Sequence, residues 1–270
     1  MSKEISRIQA KFKELASKGQ KALITYVMVG YPNQKDTLSA IRGLIRGGAD
    51  IIELGFPFSD PLADGPVIQN ASMISLEKGT KLSQFFEIVR KIRKESNIPL
   101  VLMTYTNILY HQGYDRFFKA AKDAGIDGFI TPDMTVEESK EYLRAAKKYK
   151  LDTIFLVSPN TTKPRLEKII RQTTGFLYLV SVFGTTGMRV KIQKYTIDAL
   201  KNTKKIARAK VPTGVGFGVS TAADVTHYIK NGADAVIVGS ALIRLIENTP
   251  ARKLEDVVAA FTKKLKAATK

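Results

Sequence analysis

Residues 22–54 read ALITYVMVGYPNQKDTLSAIRGLIRGGADIIEL. The segment opens on a short run rich in β-branched residues and passes into KDTLSAIRGLIRGG, where apolar residues recur at three- and four-residue spacing. It ends on a second apolar run behind a glycine. Strand, amphipathic helix, glycine stop and strand make one βα unit and the start of the next.

Working outward, the same pattern recurs until eight strand candidates are counted. They are ALITYVMV from Ala22, DIIEL from Asp50, LVLMTY from Leu100, GFIT from Gly128, DTIFLV from Asp152, FLYLV from Phe176, PTGVG from Pro212 and AVIV from Ala235. Nearly all are apolar on both faces, as strands are when one face lines a barrel interior and the other lies under helices. Gly48, Gly125 and Gly232 each precede a strand in a repeated GAD or GID, which predicts an αβ turn with glycine in a left-handed cap. Eight such units close most simply as a (β/α)8 barrel, so the expected fold is an α/β TIM barrel in a single domain spanning residues 1–270. Residues 1–20 precede the first strand and read as an extra helix covering the barrel's bottom.

With 44% hydrophobic and 25% charged residues, the chain has the composition of a globular protein with a large core. Cysteine is absent, which excludes disulfides, thiolate metal sites and cysteine nucleophiles. No metal site is expected, because His111 and His227 lack ligand spacing. The net charge of +18 raises nucleic acid as a partner, but the lysines of KIRKES, AAKKYK and KNTKKIARAK fall on polar helix faces without aromatic stacking motifs. A solvated helical surface is expected instead, with neither nucleic acid nor membrane as partner. The amino terminus has no continuous apolar core and no window reaches about 18 apolar residues, so a cytoplasmic location is expected.

In a barrel, chemistry sits where strands end at their carboxyl side. The second strand ends in Glu53, and the loop behind it, LGFPFSDPLADGP, adds Asp60 and Asp64. A carboxylate at a buried strand end is desolvated and suited to acid-base work near neutral pH, and Glu53 fits that role best. Asp60 reads better as satisfied by local backbone donors, and Asp64 stays open on spacing alone. Gly216-Phe217-Gly218-Val219-Ser220 and Gly239-Ser240 each open a helix after the last two strands, where exposed amides converge on a phosphate. Gly184-Thr185-Thr186-Gly187 lies where it can close over the same anion. Tyr26, Phe56, Tyr105, Phe129 and Tyr178 offer an aromatic mouth, or else ordinary barrel filling.

ELGFPFSDPLADGPVIQNA from Glu53 resembles the tryptophan synthase alpha chain family. The likeness continues in LMTYTNILYHQG, GFITPDMTVEES, YLVSVFGTTGMR, VGFGVST and DAVIVGSAL, in the family's order. The resemblance implies a lyase making a retro-aldol cleavage of indole-3-glycerol phosphate to indole and glyceraldehyde 3-phosphate. It implies Glu53 and Asp64 as the acid-base pair, with Tyr105 and Tyr178 flanking the indole, to which the aromatic-mouth reading adds Tyr26 and Phe129. It implies a phosphate site at Gly187, Gly218, Gly239 and Ser240, to which the glycine-rich turn adds Gly216 and Phe217, and Thr186 on a lid. It further implies a beta subunit as partner in an alpha2beta2 tetramer, contacted around Pro57, Asp60, Asn107 and Pro132. No cofactor is expected on this chain, pyridoxal phosphate (PLP) belonging to the beta subunit. Thr185, Met188, Met134 and Thr135 depart from the family's usual residues, at lid and partner contacts. Two alternatives are a stand-alone lyase that shares these residues and releases free indole, and a non-catalytic barrel binding phosphate or nucleic acid, against which the presence of both Glu53 and Asp64 counts.

Overall fold

The computed structural model describes residues 5–180, 194–208 and 210–270. Its strands, numbered in chain order, are β1 (Ala22–Met28), β2 (Ile51–Gly55), β3 (Leu100–Met103), β4 (Gly128–Ile130), β5 (Asp152–Ile154), β6 (Leu156–Val157), β7 (Leu177–Val180), β8 (Thr213–Gly216) and β9 (Ala235–Val238). The helices are α1 (Arg7–Ser17), α2 (Gln34–Gly47), α3 (Pro66–Glu77), α4 (Leu82–Glu95), α5 (Thr106–Gln112) and α6 (Tyr114–Ala124), followed by α7 (Lys140–Tyr149), α8 (Lys163–Gln172), α9 (Lys194–Ala207), α10 (Ala222–Lys230), α11 (Ser240–Glu247) and α12 (Leu254–Ala267).

All strand pairs are parallel, in the order β5-β4-β3-β2-β1-β9-β8-β7-β6. The two ends of that order, β5 and β6, are separated in the chain by Phe155 alone. The sheet therefore closes on itself through residues 152–157, and the barrel is complete. The single strand expected over DTIFLV is split in its pairing: its first half bonds to β4 and its second half to β7. Strand tilt in a closed barrel produces this stagger, since one segment meets its two neighbours at different heights. The side-chain alternation is unbroken, with Ile154 and Leu156 facing the interior and Phe155 the helices.

Alternation also sorts the core into two apolar bodies. Ile24, Ile51, Val101, Ile130, Ile154, Phe176, Tyr178, Ala235 and Ile237 fill the barrel and meet Ile8, Phe12 and Leu15 of α1. The amino-terminal helix thus plugs the lower end, as expected, with Ser6 as its N-cap accepting from Gln9 N–H at 3.1 Å. The second body, between strands and outer helices, holds Leu23, Ile52, Leu54, Leu102, Phe118 and Phe129.

Gly48, Gly125 and Gly232 have φ of 89°, 108° and 98°, the left-handed turns expected. The aspartate that ends each GAD or GID has a further role. Leu23, Leu100 and Thr213 donate their backbone N–H to Asp50, Asp127 and Asp234 at 2.7, 2.9 and 2.9 Å. Each carboxylate is also paired with a cation: Asp50 with Lys266 at 2.6 Å, Asp127 with Arg93 at 2.5 Å, and Asp234 with Lys204. One acidic residue per turn thus ties two strand starts and a helix together at the end of the barrel remote from the loops that follow the strands, where structure rather than chemistry is served.

The βα loops carry three helices beyond one per strand: α3 after β2, α5 after β3 and α11 after β9. Their first residues follow directly on Gly65, Tyr105 and Gly239. These added helices shape the upper rim of the barrel.

Candidate active site

In β2, Ile51 belongs to the barrel interior, so Glu53, two residues on, projects into the same interior one layer higher. It pairs in register with Tyr26 of β1 and Val101 of β3. Its side chain is 1% exposed, and its Oε1 has no hydrogen-bond partner among the described residues. Burial among apolar neighbours disfavours the charged form and pushes its pKa from 4.5 up to about 8.

Asp64 reaches the same space from the loop ahead of α3. Phe58 exchanges backbone hydrogen bonds with Ser72 Oγ, both 2.8 Å, and Gln69 Nε2 donates to the Asp64 carbonyl at 2.8 Å. The loop is therefore pinned to the helix it precedes. Tyr105 Oη donates to Asp64 Oδ2 at 3.0 Å and accepts from Ala63 N–H at 3.2 Å, while Phe58 stacks on the Tyr105 ring with centroids 5.1 Å apart. Asp64 is 2% exposed and its Oδ1 is unpartnered among the described residues. Burial raises its pKa from 3.8 to about 6, and the Tyr105 hydrogen bond limits the rise by stabilising the anion. Asp60, the third carboxylate of the loop, is exposed.

Both buried carboxyls line one cavity of about 320 Å³. Tyr26, Met103, Ile130, Leu156, Tyr178 and Ile237 give it an apolar wall, and Phe217, Gly218, Gly239 and Ser240 also border it. Two helix starts open onto it. Neither α3, with Gly65 as N-cap and Pro66 in the first turn, nor α11, with Gly239 as N-cap, has a side-chain cap. Ile68 and Leu242 N–H already bond to the carbonyls of Gly65 and Gly239, and Pro66 has no N–H, so the amides left for an anion at the positive end of the helix dipole are those of Val67 in α3 and of Ser240 and Ala241 in α11. The α10 start is different: Asp224 accepts from Ser220 N–H at 3.0 Å and Thr221 N–H at 2.8 Å, occupying those amides. A broader surface depression of about 820 Å³, lined by Tyr110, Asp115, Arg116 and Arg144 among others, contains no buried ionisable group.

The cavity brings together Tyr26, Glu53, Asp64, Tyr178, Phe217, Gly218, Gly239, Ser240 and Pro132. Other expected site residues are placed elsewhere. Phe129 faces outward from β4 and stacks on Phe118 at 4.2 Å, because its neighbour Ile130 takes the interior position. Phe56 likewise packs edge-on against Phe85 at 5.8 Å, outside the barrel. Tyr105 stands behind Asp64 rather than in the cavity wall. Gly216 is absent from the lining. A Cβ there would come within 2.3 Å of the Tyr178 hydroxyl, and one at Gly55 within 2.1 Å of the Tyr26 hydroxyl. Both glycines are therefore needed to seat a tyrosine, and Gly216 need not touch a ligand. Pro57 is buried within the chain, whereas Asp60 and Asn107 are exposed. Gly187 and Thr186, with Gly184, Thr185 and Met188, lie outside the described residues. Arg244 also lines the cavity, a position that helical periodicity alone did not single out. No group of three or more potential metal ligands occurs among the described residues, and none of their helices is long and apolar enough to cross a membrane.

The model of the family described as "Tryptophan synthase alpha chain" matches residues 12–270. A tryptophan synthase alpha chain from Methanosarcina acetivorans is 46% identical over 261 residues, covering 97% of this chain and 93% of that protein. One from Carboxydothermus hydrogenoformans is 45% identical over 251 residues, covering 93% of each. Among solved structures, tryptophan synthase from M. tuberculosis in its aminoacrylate-bound form superposes with a TM-score of 0.87 at 31% identity, covering 98% of this chain and 100% of that one. The tryptophan synthase complex from Pyrococcus furiosus gives 0.84 at 38% identity, covering 91% and 98%.

Proposed function

The chain belongs to the tryptophan synthase alpha chain family, and on that premise we propose that Glu53 and Asp64 divide the acid and base work of its reaction. That reaction is the cleavage of indole-3-glycerol phosphate in tryptophan synthesis. An alpha chain needs no cofactor, and PLP sits on the beta subunit. The observation that carries the division of labour is two buried carboxyls in one cavity, of which, among the described residues, only Asp64 accepts a hydrogen bond, from Tyr105; burial pushes Glu53 up to about 8 and Asp64 to about 6. At neutral pH the first carboxyl is predominantly protonated and the second ionised, and such a split assigns the acid and the base.

Glu53 donates its proton to indole C3, which turns the ring into an electron-poor indolenine. The resulting Glu53 carboxylate takes the proton from the neighbouring side-chain hydroxyl. The bond from C3 to that carbon then breaks, its electron pair returns to the ring, and the former alcohol leaves as the aldehyde of glyceraldehyde 3-phosphate. Glu53 ends the cycle protonated. Asp64 accepts a hydrogen bond from the ring N–H, which becomes acidic as the indolenine forms, and so stabilises charge that develops at the transition state. Tyr26 and Tyr178 stay neutral phenols, burial holding their pKa values well above 10, and with the apolar wall they receive the ring. Phe217, Gly218, Gly239 and Ser240 hold the phosphate through backbone donors.

The related solved complexes imply a beta-subunit partner. We place the contact at Asp60 and Asn107, which are exposed, and at Pro132, which lines the cavity, within an alpha2beta2 assembly. Indole released from indole-3-glycerol phosphate by the full chain, alone and with a beta subunit, tests this reading. Turnover that rises with the partner is expected; equal turnover without it indicates a lyase working alone, and no turnover in either case removes the function.

Tyr105→Phe gives a more local test. It deletes the hydrogen bond that stabilises the Asp64 anion while keeping the ring stacked on Phe58. The pKa of Asp64 then rises above about 6, and the acid limb of the pH–rate profile moves to higher pH. An acid limb that stays in place would separate Tyr105 from the titration of Asp64.

A further inference from the structure

Arg244 stands one helical turn beyond Ser240 on α11, and four-residue spacing puts both on one face of the helix. It is the only cationic side chain lining the cavity among the described residues, and no carboxylate is bridged to it among them. We propose that Arg244 is the charge-balancing ligand of the substrate's phosphate. The assignment rests on the reading of the cavity given above and adds to it a residue that sets affinity for the phosphorylated end of the substrate.

The argument is one of charge. A phosphate monoester carries about −1.5 to −2 at neutral pH. The helix start formed by Gly239 and Ser240 offers neutral amides and a dipole worth roughly half a positive charge. The cavity already contains Asp64, whose pKa of about 6 leaves it ionised at neutral pH. Seating a dianion in the same cavity as that carboxylate raises the repulsion between them, and backbone donors alone do not cancel it. A guanidinium at the phosphate end does, and it presents a planar fork of donors matched to phosphate oxygens. The cation and the two carboxyls thus give the cavity a polarity. Cleavage occurs at the acidic end, and the phosphate, which does not react, is held at the basic end. Because Arg244 contacts a group unchanged in the reaction, it binds ground state and transition state alike and acts on KM rather than kcat.

The test compares Arg244→Gln and Arg244→Lys with the natural full chain on indole-3-glycerol phosphate and on unphosphorylated indole-3-glycerol. Arg244→Gln is expected to raise KM for the phosphorylated substrate about tenfold, equivalent to about 1.4 kcal/mol and close to the worth of a hydrogen bond to a charged group. The change in kcat is expected to stay within about twofold. On indole-3-glycerol the substitution leaves kcat/KM unaltered, and Arg244→Lys recovers part of the affinity by restoring the charge without the fork. Calorimetric titration with inorganic phosphate reads the anion site whether or not indole is released, and Arg244→Gln should weaken it by a similar factor. Unchanged phosphate affinity, or an equal loss on both organic substrates, overturns the assignment. Phosphate binding that depends on Arg244 in a chain that releases no indole would instead uphold the anion site and remove the cleavage reading.

Discussion

Glu53→Gln is expected to lower indole release by about 10² to 10⁴-fold, the usual contribution of a positioned general acid, while making the folded chain more stable at alkaline pH. Glutamine has nearly the shape of the protonated acid but cannot give up a proton, so C3 is never protonated from that position. The stability change follows from the same burial that sets the chemistry. The folded-state pKa of Glu53 is raised to about 8 from an ordinary 4.5. A raised carboxyl contributes its full stability below about pH 4.5, and that contribution is lost as pH rises towards 8, because the unfolded chain ionises freely and the folded one does not. Glutamine does not titrate. Melting temperatures of the two proteins should therefore lie close together at pH 4 and separate progressively up to pH 8, with the variant higher. At roughly 1.4 kcal/mol per pKa unit the upper bound is several kcal/mol. Near-native turnover would remove Glu53 from the mechanism, and a variant less stable at pH 8 than at pH 4 relative to the natural chain would contradict the burial argument.

Asp64→Asn is expected to reduce turnover on a similar scale of about 10²-fold or more, through kcat with little change in KM, because the ring N–H gains acidity only as the indolenine forms. The amide can still accept the Tyr105 hydroxyl, so the loop before α3 keeps its anchor. Residual activities separate the two roles. The asparagine variant loses the part of the acid limb that Asp64 contributes and retains the alkaline limb of Glu53, whereas the glutamine variant loses the alkaline limb. Retention of both limbs by both variants would mean that neither carboxyl titrates in the reaction.

Glu53 was legible because strand alternation in IIEL needs only two neighbours: an apolar run ending in a carboxylate leaves that group at the rim of the interior. Asp64 could not be separated from Asp60 by spacing, since its burial depends on the loop folding back over α3 and on a tyrosine 41 residues away. Phe129 was misplaced for a related reason. GFI is apolar throughout, so alternation has no polar partner from which to read its inward face, and only the barrel's register decides that Ile130 points in. Gly216 was assigned to phosphate by its glycine-rich surroundings, yet its own requirement is the Tyr178 hydroxyl from the neighbouring strand, a contact invisible in one segment. The GAD turns were legible as turns, whereas the pairing of Asp50, Asp127 and Asp234 with cations on α12, α4 and α9 depends on closure of the barrel. Arg244 escaped because basic residues on amphipathic helices usually face water, and Arg244 is indeed exposed while it also lines the cavity.

The pH dependence of kcat/KM for indole release, measured on the full chain with a beta subunit present, bears most directly on the central claim that Glu53 and Asp64 work in opposite protonation states. A bell is predicted, with limbs near pH 6 and near pH 8. Because the substrate's phosphate also ionises near pH 6, the alkaline limb is decisive. Its presence in the natural chain and its loss in Glu53→Gln are the predicted results; a rate that holds level from pH 7 to 10, or an alkaline limb that survives the substitution, would contradict the account.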